Sequence, residues 1–184
     1  MALFLLEPIM KVFIFSILLF NFFSSTAQEI NSTEVENLYK VDDKIYRSAQ
    51  PGKVGFQQLD SMGIKTILSL RNRVSDKRRV KRTDLDLERL KINTWRMDQN
   101  DIIRALKIIR DQYSPILIHC LHGSDRTGVV IASYRMVFQN WAKEDAIEEF
   151  LDPKYGYHEK WFPSLLDLIE NLDVKKMRDE VGIN

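Results

Sequence analysis

Residues 115–128 read PILIHCLHGSDRTG, and this stretch decides how the chain is organised. Its first part, Pro115 to His119, is a continuous apolar run of the kind found in strands that are buried on both faces. Helical spacing of apolar residues returns from Gly128 to Gln139. Cys120 and Arg126 therefore lie between the end of a buried strand and the beginning of a helix.

The loop that contains these two residues predicts a binding site for an oxyanion. Amide groups of a tight loop, together with the N-terminus of the following helix, offer several donors and a partial positive charge. Gly123 permits the tight backbone path. Arg126 adds a planar fork that binds two oxygen atoms and keeps its charge. The positive electrostatic field of these groups also favours the thiolate of Cys120, which is the nucleophilic form of cysteine.

Two other interpretations of the loop are weaker. A structural cysteine beside a loop arginine would need no function, but it does not explain why strand, cysteine, arginine and helix follow in this order. A metal site of His119, Cys120 and His122 is disfavoured, because adjacent strand residues point to opposite faces. We therefore expect neither a metal nor a cofactor.

The composition predicts one domain without a general affinity for nucleic acid. The chain has 184 residues and a formal net charge of +1 at pH 7, so any anion binding must be local. Cys120 is the single cysteine, which excludes an intramolecular disulfide. Redox chemistry that recruits a resolving thiol is disfavoured for the same reason. We expect a monomer.

Residues 1–27 predict a secretory signal peptide. Lys11, the apolar run Val12–Phe23 and the small residues Ser25–Ala27 match its three regions. The apolar run is well short of the roughly 20 residues that cross a bilayer, so we expect no membrane span after cleavage. Translation could begin at Met10, because the residues before it are unusual for a signal. The protein is therefore expected to be exported, to a periplasm or out of the cell.

Strands alternate with helices through the rest of the chain, and its last third is helical. The pattern predicts strands at 44–48, 64–70, 90–94 and 115–119, and helices at 54–62, 98–113, 128–139, 142–151 and 163–172. A long charged loop, 71–88, separates two of the strands. This order favours an α/β fold with a short, mostly parallel central sheet flanked by helices. Ligands in such folds bind beyond the carboxyl ends of the strands.

The spacing Cys120-x5-Arg126, preceded by His119, resembles the signature of the cysteine-dependent protein tyrosine and dual-specificity phosphatases. Two further stretches, Tyr46–Pro51 and Gly63–Arg71, resemble the compact bacterial and plant-fungal atypical dual-specificity phosphatases. The resemblance implies a phosphotyrosine phosphatase-like fold. It also implies hydrolysis of a phosphoester through a phosphocysteine at Cys120.

The resemblance covers residues 44–178, which we assign to the phosphatase domain. Residues 28–43 are then an N-terminal lead-in, and 179–184 are a C-terminal tail. By the same resemblance, Thr127 would assist the thiolate and the later hydrolysis, and His119 would orient the loop. The residues implied to bind phosphate are Leu121, His122, Gly123, Ser124, Asp125 and Arg126.

Three aspartates are candidates for the general acid that protonates the departing oxygen. Asp98 is the first choice by analogy, although it lies closer to Cys120 than the acid of larger dual-specificity enzymes does. An aspartate at the start of a helix also caps the helix, which stabilises it by about 1 kcal/mol. Asp101 is the second candidate. Asp125 is the third, since Ser124–Thr127 also resembles the myotubularin-type lipid phosphatases.

The predicted substrate is a phosphorylated protein, carrying phosphotyrosine or phosphoserine, or an inositol phosphate. Basic residues between Arg71 and Arg82 could attract polyanions to the rim of the site, whereas nearby acidic residues favour a solvated loop. A catalytically weak phosphate-binding module is the alternative function, and the presence of both Cys120 and Arg126 argues against it. His158 and the aromatic residues of the last third are assigned no catalytic role.

Overall fold

The computed structural model of the protein describes residues 26–183. The predicted signal peptide lies outside these residues except for Thr26 and Ala27. Within the described range the strands are β1 (Gln28–Glu29), β2 (Tyr39–Lys40), β3 (Ile45–Ser48), β4 (Thr66–Arg71), β5 (Asp86–Ile92) and β6 (Ile116–His119). The helices are α1 (Lys53–Ser61), α2 (Gln99–Asp111), α3 (Asp125–Phe138), α4 (Lys143–Leu151), α5 (Ser164–Glu170) and α6 (Val174–Val181).

The strands form one sheet in the order β1-β2-β3-β6-β4-β5. β3, β6, β4 and β5 run parallel to one another, and β1 and β2 extend the sheet antiparallel at one edge. All residues of β6 are buried, as expected for a central strand. The predicted α/β fold, with a mostly parallel sheet flanked by helices and a helical C-terminal third, is confirmed.

The parallel register brings three strand ends to one edge of the sheet. Ser48 at the end of β3 and Ser69 near the end of β4 both pair with His119, the last residue of β6. The chain therefore leaves the middle of the sheet at Cys120, with neighbouring strands on both sides. This is the carboxyl edge, where ligands of parallel sheets bind.

Side chains of β6 alternate between two apolar layers. Leu117 belongs to a layer that includes Phe56 and Leu59 of α1. Ile116 and Ile118 face the larger layer, to which α2 and α3 contribute. Almost every residue of α3 is buried. The loop between β6 and α3 is therefore fixed at both ends by the most buried elements of the described chain.

The predicted lead-in, residues 28–43, is packed against the domain. Val35 and Leu38 are buried in the layer that contains α1, and Tyr39 is buried in the larger layer. β1 and β2 have two residues each, which is too short for an apolar period to be recognised in the sequence.

Most predicted boundaries differ from the structure by one or two residues, and three differ by three residues or more. β5 begins at Asp86 instead of residue 90, because this strand at the edge of the sheet carries exposed polar side chains that hide its period. α3 begins at Asp125 instead of Gly128. The predicted tail, 179–184, includes the end of α6, a mostly polar helix that Met177 and Val181 anchor in the core.

Ala27 attaches the start of the described chain to the core. Its N–H donates to Glu149 Oε1 at 3.1 Å, and Ala27 itself is buried. Glu149 also accepts hydrogen bonds of 2.7 and 2.8 Å from Arg135, with which it forms a buried ion pair. Cleavage after Ala27 would remove the first contact and keep the ion pair, and this cleavage stays a prediction. Among residues 26–183, no helix combines the length and apolar character needed to cross a bilayer.

Candidate active site

The loop between β6 and α3, residues 120–124, turns its carbonyl groups outward. Three consecutive carbonyls accept hydrogen bonds from the N-terminal part of the chain. The pairs are Gln50 N–H to the Leu121 carbonyl (3.0 Å), Asn37 Nδ2 to the His122 carbonyl (2.8 Å) and Arg47 Nη2 to the Gly123 carbonyl (2.9 Å). In a planar trans peptide the N–H points away from the carbonyl. The amides of residues 122–124 therefore point to the inner side of the loop.

Gly123 is required by both conformation and space. Its φ of +75° lies in the left-handed region, which L-residues with a side chain rarely adopt. A Cβ atom at this position would lie 2.4 Å from the Ser48 carbonyl carbon. The end of β3 therefore presses directly on the loop and leaves room for glycine alone.

Cys120 lies at the base of the loop and is buried. The preceding residue, His119, is also buried, and its Nδ1 donates to the Cys120 carbonyl at 3.0 Å. Its Nε2 lies 3.3 Å from Asp76 Oδ2. The imidazole ring is thus held between the loop and a carboxylate, which fits the orienting role implied for His119.

Asp76 is a buried anion that connects the long charged loop to the site. Burial alone would raise the pKa of Asp76, but the hydrogen bonds from His119 and Ser69 and the charges of His119 and Arg79 outweigh burial and lower this pKa. Ser69 Oγ donates to Asp76 Oδ2 at 2.9 Å. Gln50 donates to the same carboxylate and accepts from Arg71. Asp76 is therefore ionised and holds together the elements that surround the loop.

Arg126 lies in the first turn of α3 and reaches across two strand ends. Its Nη1 donates to the carbonyls of Leu70 at 3.1 Å and Ile92 at 3.3 Å. Its Nε is buried and has no hydrogen-bond partner within residues 26–183. Thr127 is also buried, and its Oγ1 likewise has no partner in that range. Both atoms are available to a bound group.

A cleft with a volume of about 290 Å³ opens beside Arg126. It is lined by Arg71, Asn72, Arg73, Ile92, Asn93, Thr94, Trp95, Leu121 and Arg126. Three of the lining residues are arginines, and no lining residue carries a carboxylate. Burial lowers the pKa of Arg71, and the positive charge of Arg126 lowers it further. Two guanidinium groups therefore repel each other here, and an anion between them would relieve the repulsion.

Asp98 and Asp101 form a reciprocal cap at the start of α2. The Asp98 side chain accepts from the Asp101 N–H at 3.0 Å, and the Asp101 side chain accepts from the Asp98 N–H at 3.4 Å. Asp101 also forms an ion pair with Arg104. The capping interpretation is confirmed. Neither residue lines the cleft, and a role for either as general acid stays a prediction.

Asp125, the third candidate acid, is held by His158. Its Oδ1 accepts from the His158 N–H at 3.0 Å, and His158 Nδ1 lies 3.1 Å from both carboxylate oxygens. The ring of His122 lies beside that of His158, with 5.0 Å between the centroids. The sequence indicated no partner for His158, because the fold alone brings residue 158 to the loop.

A model of the tyrosine phosphatase family matches residues 33–177, which are most of the chain. The chain belongs to this family. The resemblance noted in the sequence is therefore confirmed, and it reaches further toward the N-terminus than residue 44. The match includes Asn37, which supports the phosphatase loop from outside.

Relatives of this chain include proteins with different named activities. The dual specificity protein phosphatase TpbA of Pseudomonas aeruginosa is 30% identical over 122 residues, covering 65% of this chain and 56% of TpbA. This chain thus matches just over half the length of TpbA. The inositol diphosphatase DSP5 of Arabidopsis thaliana is 29% identical over 153 residues, covering 77% of this chain and 72% of DSP5.

Solved structures show the same phosphatase fold. P. aeruginosa TpbA in complex with pTyr superposes with a TM-score of 0.77 at 26% identity, covering 86% of this chain and 97% of that chain. The core catalytic domain of the PP-IP phosphatase SIW14 of S. cerevisiae superposes with a TM-score of 0.69 at 24% identity, covering 83% and 97%. The likeness to SIW14, at 24% identity, shows the fold alone.

The structure brings together most of the residues that the sequence singled out. Residues 119–127 form the loop, its support and the first turn of the helix. Arg71 and Arg73 reach the cleft. The sequence analysis assigned no role to the residues that support the loop from outside, which are Asn37, Arg47, Gln50 and Asp76. Arg47 and Gln50 lie in the stretch Tyr46–Pro51, which was noted only for its resemblance. For Asp76 there was one signal, since it is a lone carboxylate within a basic stretch.

We predict that Gly123→Ala abolishes oxyanion binding by this protein. The added Cβ would meet the Ser48 backbone and force the loop out of its left-handed turn. Orthovanadate inhibition of turnover and direct phosphate titration would measure the loss. Gly52→Ala is the matched control, because nothing lies within 4 Å of its Cβ position and its φ is −75°. Equal binding by the two variants would contradict the steric argument.

Proposed function

We propose that the protein hydrolyses phosphate esters through a phosphocysteine intermediate on Cys120. The observation that carries the proposal is the orientation of the loop: its carbonyls are bound outward, so its amides face the space in front of Cys120. Arg126 follows the loop in the first turn of α3, and its Nε, which has no partner among residues 26–183, is a charged donor next to the loop. Membership of the tyrosine phosphatase family supports this assignment.

The reaction has two steps. The thiolate of Cys120 forms a bond to phosphorus while the bond to the leaving oxygen breaks, and the leaving group departs with the electron pair. Water then attacks phosphorus and loses a proton, the sulfur–phosphorus bond breaks, and the sulfur leaves as thiolate. The loop amides and Arg126 bind the three non-bridging oxygens, whose charge they stabilise in both transition states. The free hydroxyl of Thr127 is available to the departing thiolate.

The lining of the cleft limits how basic the leaving group of the substrate can be. No carboxylate lines it among the described residues, and we propose that the leaving oxygen departs without a carboxylic acid beside it. A tyrosine phenolate, with a conjugate-acid pKa of about 10, can do so. A phosphate group, with a second pKa of about 6, can do so more easily. An alkoxide from phosphoserine is far more basic, and we expect such esters to react slowly.

Phosphotyrosine is the substrate class that this cleft supports best. Trp95 is 64% exposed and Leu121 43% exposed, and both line the cleft. Exposed apolar side chains beside a phosphate site favour an aromatic ring next to the phosphate. TpbA, whose solved complex contains pTyr, supports the same class.

A diphosphorylated inositol is the second candidate substrate. Arg71 and Arg73 line the cleft with Arg126, and this charge exceeds what one phosphate requires. The leaving group of a diphosphate is itself a phosphate, which needs no acid. The name of the Arabidopsis relative, inositol diphosphatase DSP5, supports this class.

We also propose that the protein is exported and cleaved near Ala27. The leader in residues 1–27 supports this proposal. N-terminal sequencing of protein recovered from a periplasm or culture medium should find a first residue close to Gln28. A chain that keeps the leader and stays with the cytosolic fraction would contradict it.

We predict that Cys120→Ser lowers kcat for p-nitrophenyl phosphate by about 10⁴-fold or more, because the variant lacks the nucleophile. Orthovanadate should still bind, since the amides and Arg126 remain. A chelator should leave the wild-type rate unchanged. Activity retained by the variant, or lost with the chelator alone, would overturn the cysteine mechanism. Wild-type protein that binds phosphate without any turnover would instead establish the phosphate-binding module.

We predict that Asp98→Asn turns over phosphotyrosine peptides at nearly the wild-type rate. Asparagine caps a helix as well as aspartate does but cannot serve as an acid, whereas removal of a general acid costs about 100-fold or more. Asp98→Ala is the paired variant, and it should lose about 1 kcal/mol of stability in urea unfolding. If Asp98→Asn loses activity on phosphotyrosine but keeps it on p-nitrophenyl phosphate, Asp98 is the acid.

A further inference from the structure

Two histidines and an aspartate meet at the outer rim of the loop, and the reaction proposed above uses none of their side chains. His122, Asp125 and His158 each offer a ligand atom, and these atoms lie within 4.8 Å of one another. Asp125 is buried, the His158 side chain is 39% exposed and His122 is exposed. The cluster is therefore open to solvent on one side only.

We propose that this cluster binds a divalent transition-metal ion, of which zinc is the best fit. Imidazole nitrogens and a carboxylate are the donor types that zinc takes, and three protein ligands leave a position for water. Zinc–ligand bonds of about 2.1 Å place two tetrahedral ligands about 3.4 Å apart. His158 Nδ1 lies 3.1 Å from both Asp125 oxygens, which is close to that spacing. A nitrogen of the exposed His122 ring lies within 4.8 Å of the other two ligand atoms and would have to move closer to bind the same ion.

The backbone positions of the three ligands are fixed. The His158 N–H orients the Asp125 carboxylate, and the His158 carbonyl accepts from the N–H groups of Trp161 and Phe162. The His122 carbonyl is held by Asn37. Metal sites in proteins commonly depend on such outer hydrogen bonds, which orient the ligands before the ion binds.

The sequence analysis expected no metal and considered only His119, Cys120 and His122 as ligands, whereas the proposed site uses a different set. His119 and Cys120 take no part in it. The ion would join the loop to the segment that contains His158, and the hydrolysis proposed above has no step that needs it. Zinc binding at this cluster can therefore be tested independently of the proposed phosphatase activity.

Calorimetric titration of zinc into Cys120→Ser protein tests the site. Protein without a polyhistidine tag is used, and the thiol is absent, so neither can supply a ligand. We expect one ion per chain, with binding at least tenfold weaker after a further His158→Gln change. Glu159→Gln is the matched control, because it removes an exposed carboxylate next to His158 and should leave zinc affinity unchanged.

Several outcomes would overturn the proposal. They are zinc binding that requires Cys120, zinc binding that His158→Gln and Glu159→Gln affect equally, and the absence of binding. Circular dichroism establishes that each variant is folded. If His158→Gln does not fold, His122→Gln replaces it with the same tenfold expectation, because His122 is exposed and its side chain can be changed without disturbing the core.

Discussion

The orientation of three peptide groups is the constraint on which the rest of the site depends. Buried carbonyls need partners, and here the partners of the loop carbonyls come from Asn37, Arg47 and Gln50. Once the carbonyls are bound on the outside, the amides can only face inward. The N-terminal segment therefore does more than extend the sheet, because it determines which side of the loop attracts anions. Arg47 is itself fixed, with its guanidinium 4.0 Å above the ring of Tyr155.

Electrostatic balance at the carboxyl edge follows from the same arrangement. Arg126 and Arg71 approach each other there, while the charge of the buried anion Asp76 acts on Arg71 and its carboxylate lies 3.3 Å from His119 Nε2. A positive site that lacked this carboxylate would destabilise the fold through repulsion. With Asp76 present, the carboxyl edge of the sheet stays positive toward solvent, and part of its positive charge is balanced on the side of the core. The site thus favours an oxyanion from outside.

The sequence predicted the centre of this protein well and its supports poorly. The β6–α3 stretch has strong local signals: an apolar strand, a glycine in a tight loop and an arginine at the start of a helix. Asn37 and Asp76 have none, because their partners lie far along the chain and only the sheet order brings them to the loop. His158 was missed for the same reason. Asp98 shows a different limit of sequence-based prediction. An aspartate at the start of a helix can serve as a cap or as a general acid, and the residue type does not distinguish the two roles.

We propose that the loop holds an oxyanion against the sulfur of Cys120 and that this sulfur accepts the phosphoryl group. Rapid acid quenching of the enzyme during turnover of a phosphotyrosine peptide, followed by peptide mass spectrometry, tests this proposal most directly. The account predicts a transient phosphoryl group on the peptide that contains Cys120, and on no other peptide. Steady turnover without that adduct, or a phosphoryl group on a different residue, would contradict it.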